Sequence, residues 1–301
     1  MIEQSRLTVG SRGSKLSVAQ TTLVMDALMS RHPGLVAVHK PITTAGDINQ
    51  APIPPGAMGK SWFTAEIEQA LMDGSIDLAV HSLKDMPAQS PEGLVTFYVL
   101  KRGDPRDVLI SKSGKTLADL PAGSVIGTDS VRRRSLLLSK RPDLVIKSIR
   151  GNVDTRIRKM HDNKSPEVEY DSIMLAAAGL TRLGMIDIAT EIFDAVDFLP
   201  SPGQGILAVQ VRADRHDVVA MVETIVDKET SIEAQAELAF SAGIGGGCKT
   251  PIGCFAKIEG EKIAICALKG DLSSANVTRR EVGGNAKDAL ELARELASQF
   301  V

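Results

Sequence analysis

Ser124-Val125-Ile126-Gly127-Thr128-Asp129-Ser130-Val131-Arg132-Arg133 passes from a short run of strand formers, through a polar turn, into a helix that Ser130 is suited to cap. The design recurs. Leu7 to Gly10 leads through Ser11-Arg12-Gly13-Ser14 into a helical stretch from Lys15 to Ser30, where Leu16, Ala19, Leu23 and Ala27 share a face. Leu144 to Ile149 leads through Arg150-Gly151-Asn152-Val153-Asp154-Thr155-Arg156 into another, with Asn152 as its cap. Further strands are expected at Leu35 to Thr43, Ile76 to His81, Val95 to Leu100, Val108 to Ile110, Ser172 to Leu175 and Ile206 to Val211, with a helix at Phe63 to Asp73 closed by Gly74. Strands alternating with helices predict α/β layers on a mostly parallel sheet.

Two turns divide this pattern. Arg102-Gly103-Asp104-Pro105 separates two sheets, and the stretch from Phe198 to Gly203 is a second crossing, so that one sheet is finished by chain returning from the other. After Asp214 come two helices, a Gly245-Gly246-Gly247 break, strands near Ile252 to Ile258, Lys262 to Leu268 and Val277 to Val282, and a last helix from Ala286 to Phe300, a smaller α+β domain. A chain of 301 residues is expected to form two or three domains, since single cores stop growing near roughly 250 to 300 residues. The stretch from Asp47 to Lys60, rich in Pro and Gly, reads as a lid or a disordered loop.

Charge is segregated. Gly127 to Lys159 holds ten Lys and Arg against three Asp, in a chain whose formal net charge is −2. In an open α/β sheet the strand-to-helix turns lie at the carboxyl ends of strands, where helix amides, hydroxyls and guanidinium forks together hold carboxylate or phosphate. Three such turns imply a ligand with several anionic groups. Each arginine taken singly also suits an exposed ion pair. Arg134, Lys140, Arg141 and Lys159 are assigned to solvated helix faces, because successive helix positions point about 100° apart.

Aromatics form only 3% of the chain and do not interleave with a basic stripe, which argues against nucleic acid as a partner. Apolar runs are broken by charge well short of the ~20 residues of a membrane helix, and the N-terminus lacks a signal-peptide core; the expectation is a cytoplasmic protein with no membrane partner. Cys248, Cys254 and Cys266 are too few for a disulfide framework or a zinc site, and no metal is expected. Cys248, between Gly247 and Lys249, has the setting of a reactive thiol or covalent anchor and equally that of an inert loop cysteine; Cys254 and Cys266 read as buried fillers. Val80-His81-Ser82-Leu83-Lys84-Asp85-Met86-Pro87 ends a buried strand in a Lys-Asp pair, able to stabilise a cation on a substrate or to sit as surface charge, with His81 structural. On residues alone a two-lobed carboxylate-binding protein without chemistry remains open.

In this order, Ser11 to Ser14, Thr44-Ala45-Gly46-Asp47, Val80 to Pro87, Asp104-Pro105-Arg106-Asp107, Gly127 to Arg133, Arg150 to Val153, Pro202-Gly203-Gln204-Gly205 and Gly246 to Gly253 resemble the porphobilinogen deaminase family over nearly the whole chain. The resemblance implies two type II periplasmic-binding-protein-like α/β domains, 1–101 with 197–216 and 102–196, and a C-terminal α+β domain, 217–301, carrying the cofactor cysteine. It implies a transferase, acting as a monomer, that deaminates and joins four porphobilinogens head to tail on a dipyrromethane cofactor bound covalently to Cys248, then releases hydroxymethylbilane. Asp85 is then the catalytic carboxylate. Lys84, Asp85, Thr128, Ser130, Arg132 and Arg133 hold the cofactor, and Arg12, Ser14, Arg150, Arg156 and Gln204 serve porphobilinogen and the growing polypyrrole chain. Each ring carries an acetate and a propionate, which gives the arginines a matching ligand. The sequence departs from the family pattern at Asp129, where serine is common and where a carboxylate must point away from an anion pocket or be paired. Ser61 and Trp62 replace a usual glycine and leucine, and Thr181 stands where a basic residue is frequent.

Overall fold

The computed structural model describes residues 6–48, 64–87, 89–162, 168–245, 250–271 and 276–300. The chain divides into two compact units, Met1–Gly103 with Ile206–Ala234, and Asp104–Gly205 with Gln235–Val301.

The first unit is built on a five-stranded sheet of β1 (Arg6–Arg12), β2 (Val36–Ile42), β3 (Leu78–Ser82), β4 (Leu94–Val99) and a strand from the second pass of chain, Leu207–Arg212. The second unit contains β5 (Asp107–Ser111), β6 (Val125–Gly127), β7 (Val145–Lys147), β8 (Ser172–Ala176) and β9 (Glu191–Ile192), which makes Leu207–Arg212 β10 in chain order. The sheet orders are β2-β1-β3-β10-β4 and β7-β6-β8-β5-β9. They are the same topology. In each, three strands run parallel, and the fourth, antiparallel to both neighbours, is the strand that follows a crossing of the chain. The sheets are therefore mixed rather than mostly parallel: a strand entering from the other unit arrives from the opposite end. Two α/β halves, each on a five-stranded mixed sheet, and a smaller α+β part with a three-stranded sheet make up the fold.

Central strands are buried on both faces, which accounts for unbroken apolar runs such as Val108-Leu109-Ile110 and Ile173-Met174-Leu175. In the first unit, helices Lys15–Arg31 and His216–Glu223 cover one face through Val24, Leu28, Val218 and Val222, packed with Leu7, Val9, Val80 and Val209. Helix Ala65–Met72 brings Ile67 and Leu71 to a second cluster with Ile76 and Ala79. Gly74 follows it at φ 75°, the left-handed stop expected of a terminating glycine.

In the second unit, helix Val131–Lys140 sets Leu136 and Leu137 against Leu109, Ile126 and Met174, and helix Val153–His161 sets Met160 against Ile149 and Ile173. The C-terminal sheet, β11 (Ile252–Glu259), β12 (Lys262–Gly270) and β13 (Val277–Asn285), is wholly antiparallel. Helix Ala289–Ser298 buries Ala289, Ala293, Leu296 and Ala297. Leu268 of β12 joins the cluster formed by Leu136 and Phe198, so this sheet is continuous in packing with the α/β part of its unit.

Candidate active site

In the second unit the site is organised around a residue to which the sequence reading gave no role. Asp107 opens β5 and is completely buried. The helix after β6 is capped by Ser130, whose hydroxyl accepts from Arg133 N at 3.3 Å, so its first turn presents two arginines side by side. Arg132 Nη1 donates to Asp107 Oδ2 at 2.6 Å and to the Leu199 carbonyl at 2.7 Å. Arg133 Nε and Nη2 donate to Asp107 Oδ1 at 3.0 and 2.6 Å, and its Nη1 reaches the Met174 carbonyl at 3.0 Å. Gln204 Nε2 donates to the same Oδ1 at 3.0 Å and to the Pro105 carbonyl at 2.6 Å. Three predicted site residues thus converge on one carboxylate. Burial alone would raise the Asp107 carboxyl, but the two guanidiniums outweigh it and hold the group well below the usual carboxylate range. One anion faces two cations, and Arg132 Nε is buried with no hydrogen-bond partner.

Thr128 is buried beside this cluster, and its hydroxyl accepts from Ser130 N at 3.2 Å. Asp129 is paired: Arg150 Nε lies 2.6 Å from its Oδ2, and the Ser148 hydroxyl donates to its Oδ1. Arg156 Nε donates to the Gly151 carbonyl at 2.7 Å. Arg134 and Lys140 are exposed as expected, whereas Lys159 Nζ donates to the Arg150 carbonyl at 3.0 Å. Arg141 departs further from the solvated role, since it donates to the carbonyls of Leu117, Ala118 and Leu120 and pairs with Asp143 at 2.6 Å. A helix-ending arginine can turn back onto a loop, which a rule about helix faces does not foresee.

Two further groups were given no role by the sequence reading, which noted Arg182 only as the basic residue beside Thr181. Arg182 Nη2 donates to the Gly205 carbonyl at 2.6 Å, and desolvation lowers its pKa to about 10. Glu237, wholly buried on helix Lys228–Gly243, accepts from Gly203 N at 2.6 Å and Ala256 N at 2.8 Å, joining the Gln204 turn to β11. An acidic residue heading or interrupting an apolar run, as in Asp107-Val108-Leu109-Ile110, was the available signal for such buried carboxylates.

In the first unit, Arg12 at the end of β1 pairs with Asp47 at 2.5 Å. Thr44 donates to Asp47 from its amide at 3.2 Å and its hydroxyl at 2.8 Å. Burial raises this carboxyl, yet the Arg12 and Thr44 hydrogen bonds prevail and keep it below its usual range. Ser14 caps helix Lys15–Arg31 by accepting from Ser17 N at 3.2 Å. Strand β3 ends in a single 3-10 turn, Leu83–Asp85, anchored by buried Leu83, whose amide donates to the Ile206 carbonyl at 3.1 Å. The turn leaves Lys84 half-buried and Asp85 exposed. His81 is buried, and desolvation holds its pKa down to about 4.

Cys248 lies outside the described residues, as does the lid segment from 49 onward, including Ser61 and Trp62. Cys254 is buried as expected, but Cys266 is only half-buried, with its Sγ 3.9 Å from Glu281. Among the described residues no group of three or more His, Cys, Asp or Glu could hold a metal ion, and no helix is long and apolar enough to cross a membrane.

The family model described as porphobilinogen deaminase, dipyromethane cofactor binding domain, matches residues 7–220, and that of the porphobilinogen deaminase C-terminal domain matches residues 231–301. The chain belongs to the porphobilinogen deaminase family. Relatives named porphobilinogen deaminase are 41% identical in Roseiflexus castenholzii, over 99% of this chain and 96% of the relative, and 42% identical in Roseiflexus sp. strain RS-1, over 98% and 95%. A third, from Syntrophus aciditrophicus, is 40% identical over 98% of this chain and 95% of its own. The crossings after Gly103 and Gly205, and the whole Asp107 cluster, fall within the first of the two matched porphobilinogen deaminase domains, whereas the crossing after Ala234 falls in the second.

Proposed function

We propose that this chain is a hydroxymethylbilane synthase: a transferase that deaminates four porphobilinogen molecules and joins them head to tail on a dipyrromethane primer held through a thioether at Cys248, releasing hydroxymethylbilane and ammonia. What carries the reading, beside family membership, is the Asp107 cluster. Two buried guanidiniums share a single internal carboxylate, and one buried Nε has no partner. Such a cluster is one negative charge short, which suits a polycarboxylate and fits the cofactor of the matched domain.

Arg132 and Arg133, with Thr128, Ser130 and Lys84, are assigned to the cofactor's carboxylates. When bound, the cofactor supplies a nucleophilic pyrrole carbon on which chain growth begins. Arg12, Ser14, Arg150, Arg156 and Gln204 are assigned to substrate; their forks and hydroxyls fix acetate and propionate groups and so orient the ring. Asp85 accepts from the substrate's pyrrole N–H and stabilises the positive charge that spreads into the ring as ammonia leaves. A carboxylate held by a short anchored turn stabilises that charge without the reorganisation that water requires. We assign the three sheets to three domains, with helix His216–Glu223, expected in the C-terminal domain, counted with the first because Val218 and Val222 pack in its core, in a monomer that works in the cytoplasm.

Intact mass spectrometry tests the reading directly. Holoprotein from cells that make porphobilinogen should weigh more than its sequence by two condensed pyrrole units, and Cys248→Ser should lose that increment. A wild-type mass with no adduct refutes it.

A further inference from the structure

Two carboxylates in the second unit are paired with arginines assigned to ligands, and they differ in one respect. Asp107 is sealed in the interior, so exchanging it for another anion would require unfolding its surroundings. Asp129 sits in the turn between β6 and helix Val131–Lys140, with its side chain 27% exposed and that of its partner Arg150 32% exposed. The frame around this pair is stiff. Tyr170 donates to the Ser148 carbonyl at 2.5 Å, Thr128 N donates to the Lys147 carbonyl at 2.9 Å, and Lys159 Nζ holds the Arg150 carbonyl at 3.0 Å. With its backbone so fixed, Arg150 presents Nε at 2.6 Å to Asp129 Oδ2, while Ser148 steadies the other oxygen. The protein therefore places its own carboxylate on a guanidinium that solvent can reach.

We propose that Asp129 is an exchangeable counter-anion that sets the affinity for substrate: a substrate carboxylate arriving at Arg150 must displace Asp129 or share the guanidinium with it. This rests on the assignment of Arg150 to substrate made above. Sharing brings two like charges together, which weakens both contacts. Displacement costs the existing ion pair, although the released Asp129 keeps the Ser148 hydroxyl and gains water. Either way the penalty is that of a partly exposed pair, and it applies equally before and during the chemical step. A penalty of that kind appears in KM rather than in kcat.

Steady-state kinetics of the holoenzyme with porphobilinogen test this. Asp129→Asn keeps the shape and an oxygen for Ser148 while removing the charge, and Asp129→Ser removes both. An exposed pair is worth up to ~1 kcal/mol, so KM should fall about two- to fivefold in each variant, with kcat/KM rising in proportion. In an Arg150→Ala background, which itself should raise KM, Asp129→Asn should no longer lower it. If Arg150→Ala raises KM but neither Asp129 variant lowers it, the counter-anion role is overturned and the assignment of Arg150 stands. If Arg150→Ala leaves KM unchanged, the assignment fails and the inference with it.

Discussion

Replacing Asp107 by Asn probes the second unit most sharply, because the side chain keeps its shape and loses only its charge. In the wild type one carboxylate accepts from Arg132 Nη1, from Arg133 Nε and Nη2, and from Gln204 Nε2, all buried. The amide retains a single acceptor oxygen, and its NH2 would face guanidinium donors. Both arginines would then lie buried, 4% and 6% exposed, without a counter-charge. Removing one partner from a buried ion pair costs roughly 3–5 kcal/mol, a large fraction of the ~5–15 kcal/mol that holds a folded protein together. Hydrogen exchange read by mass spectrometry localises the loss. Protection of amides in β5 and in helix Val131–Lys140 should drop by about a hundredfold to a few thousandfold, whereas β1 and β3 of the other unit should be unchanged. Acid should expose the same dependence. The native carboxyl is depressed, so its stabilisation is complete above the unfolded value of about 4 and is lost as pH falls from there toward the lower folded value. The variant should lack that slope. Protection within about fivefold of wild type in both segments would refute the claim that Asp107 neutralises the arginine pair.

Asp85→Asn should lower kcat by at least about 10²- to 10³-fold, the cost of removing an aimed electrostatic group, while the dipyrromethane mass increment persists. Near-normal turnover with the increment present would exclude Asp85 from the charge-stabilising role. His81, buried and neutral with a pKa near about 4 against the usual 6.5, predicts a second acid dependence. Below about 6.5 the unfolded chain takes up a proton that the native state refuses, so protection in β3 and β10 should decline from there to about pH 4, by an amount on the order of 3 kcal/mol. His81→Gln should flatten that decline, as exchange measured across the pH range would reveal.

The α/β pattern was legible because it rests on local rules. Ser130 caps the helix it was expected to cap, Asn152 takes the expected N-cap position but makes no side-chain capping hydrogen bond, and the strands from Leu7 to Val282 fall at the expected places. Strand direction was not legible, since a period of two is the same whichever way the chain runs. A mostly parallel sheet was expected, and β5 and β10 run antiparallel to both of their neighbours. β9, two residues long, is too short to carry a period. At the site, residue types and turns were readable, but partners were not. Asp107 and Arg132 are 25 positions apart and Gly203 and Glu237 are 34 apart, and only the folded chain brings them together.

Counting charge pointed to a polyanionic ligand through a picture that the structure alters. The excess between Gly127 and Lys159 suggested a row of guanidiniums waiting for anions. Instead, Arg132 and Arg133 meet Asp107, Arg150 meets Asp129, and Arg141 meets Asp143 together with loop carbonyls. Internal pairing is what allows so many cations to be packed closely, because unpaired guanidiniums that near one another would repel and splay. A receptor for a polyanion that has to be occupied, extended and emptied in turn cannot offer all its charge at full strength. The sealed carboxylate at Asp107 fixes geometry, and the solvent-facing one at Asp129 can give way. Affinity is then governed by how each guanidinium is already engaged, and a net-charge count cannot distinguish these cases.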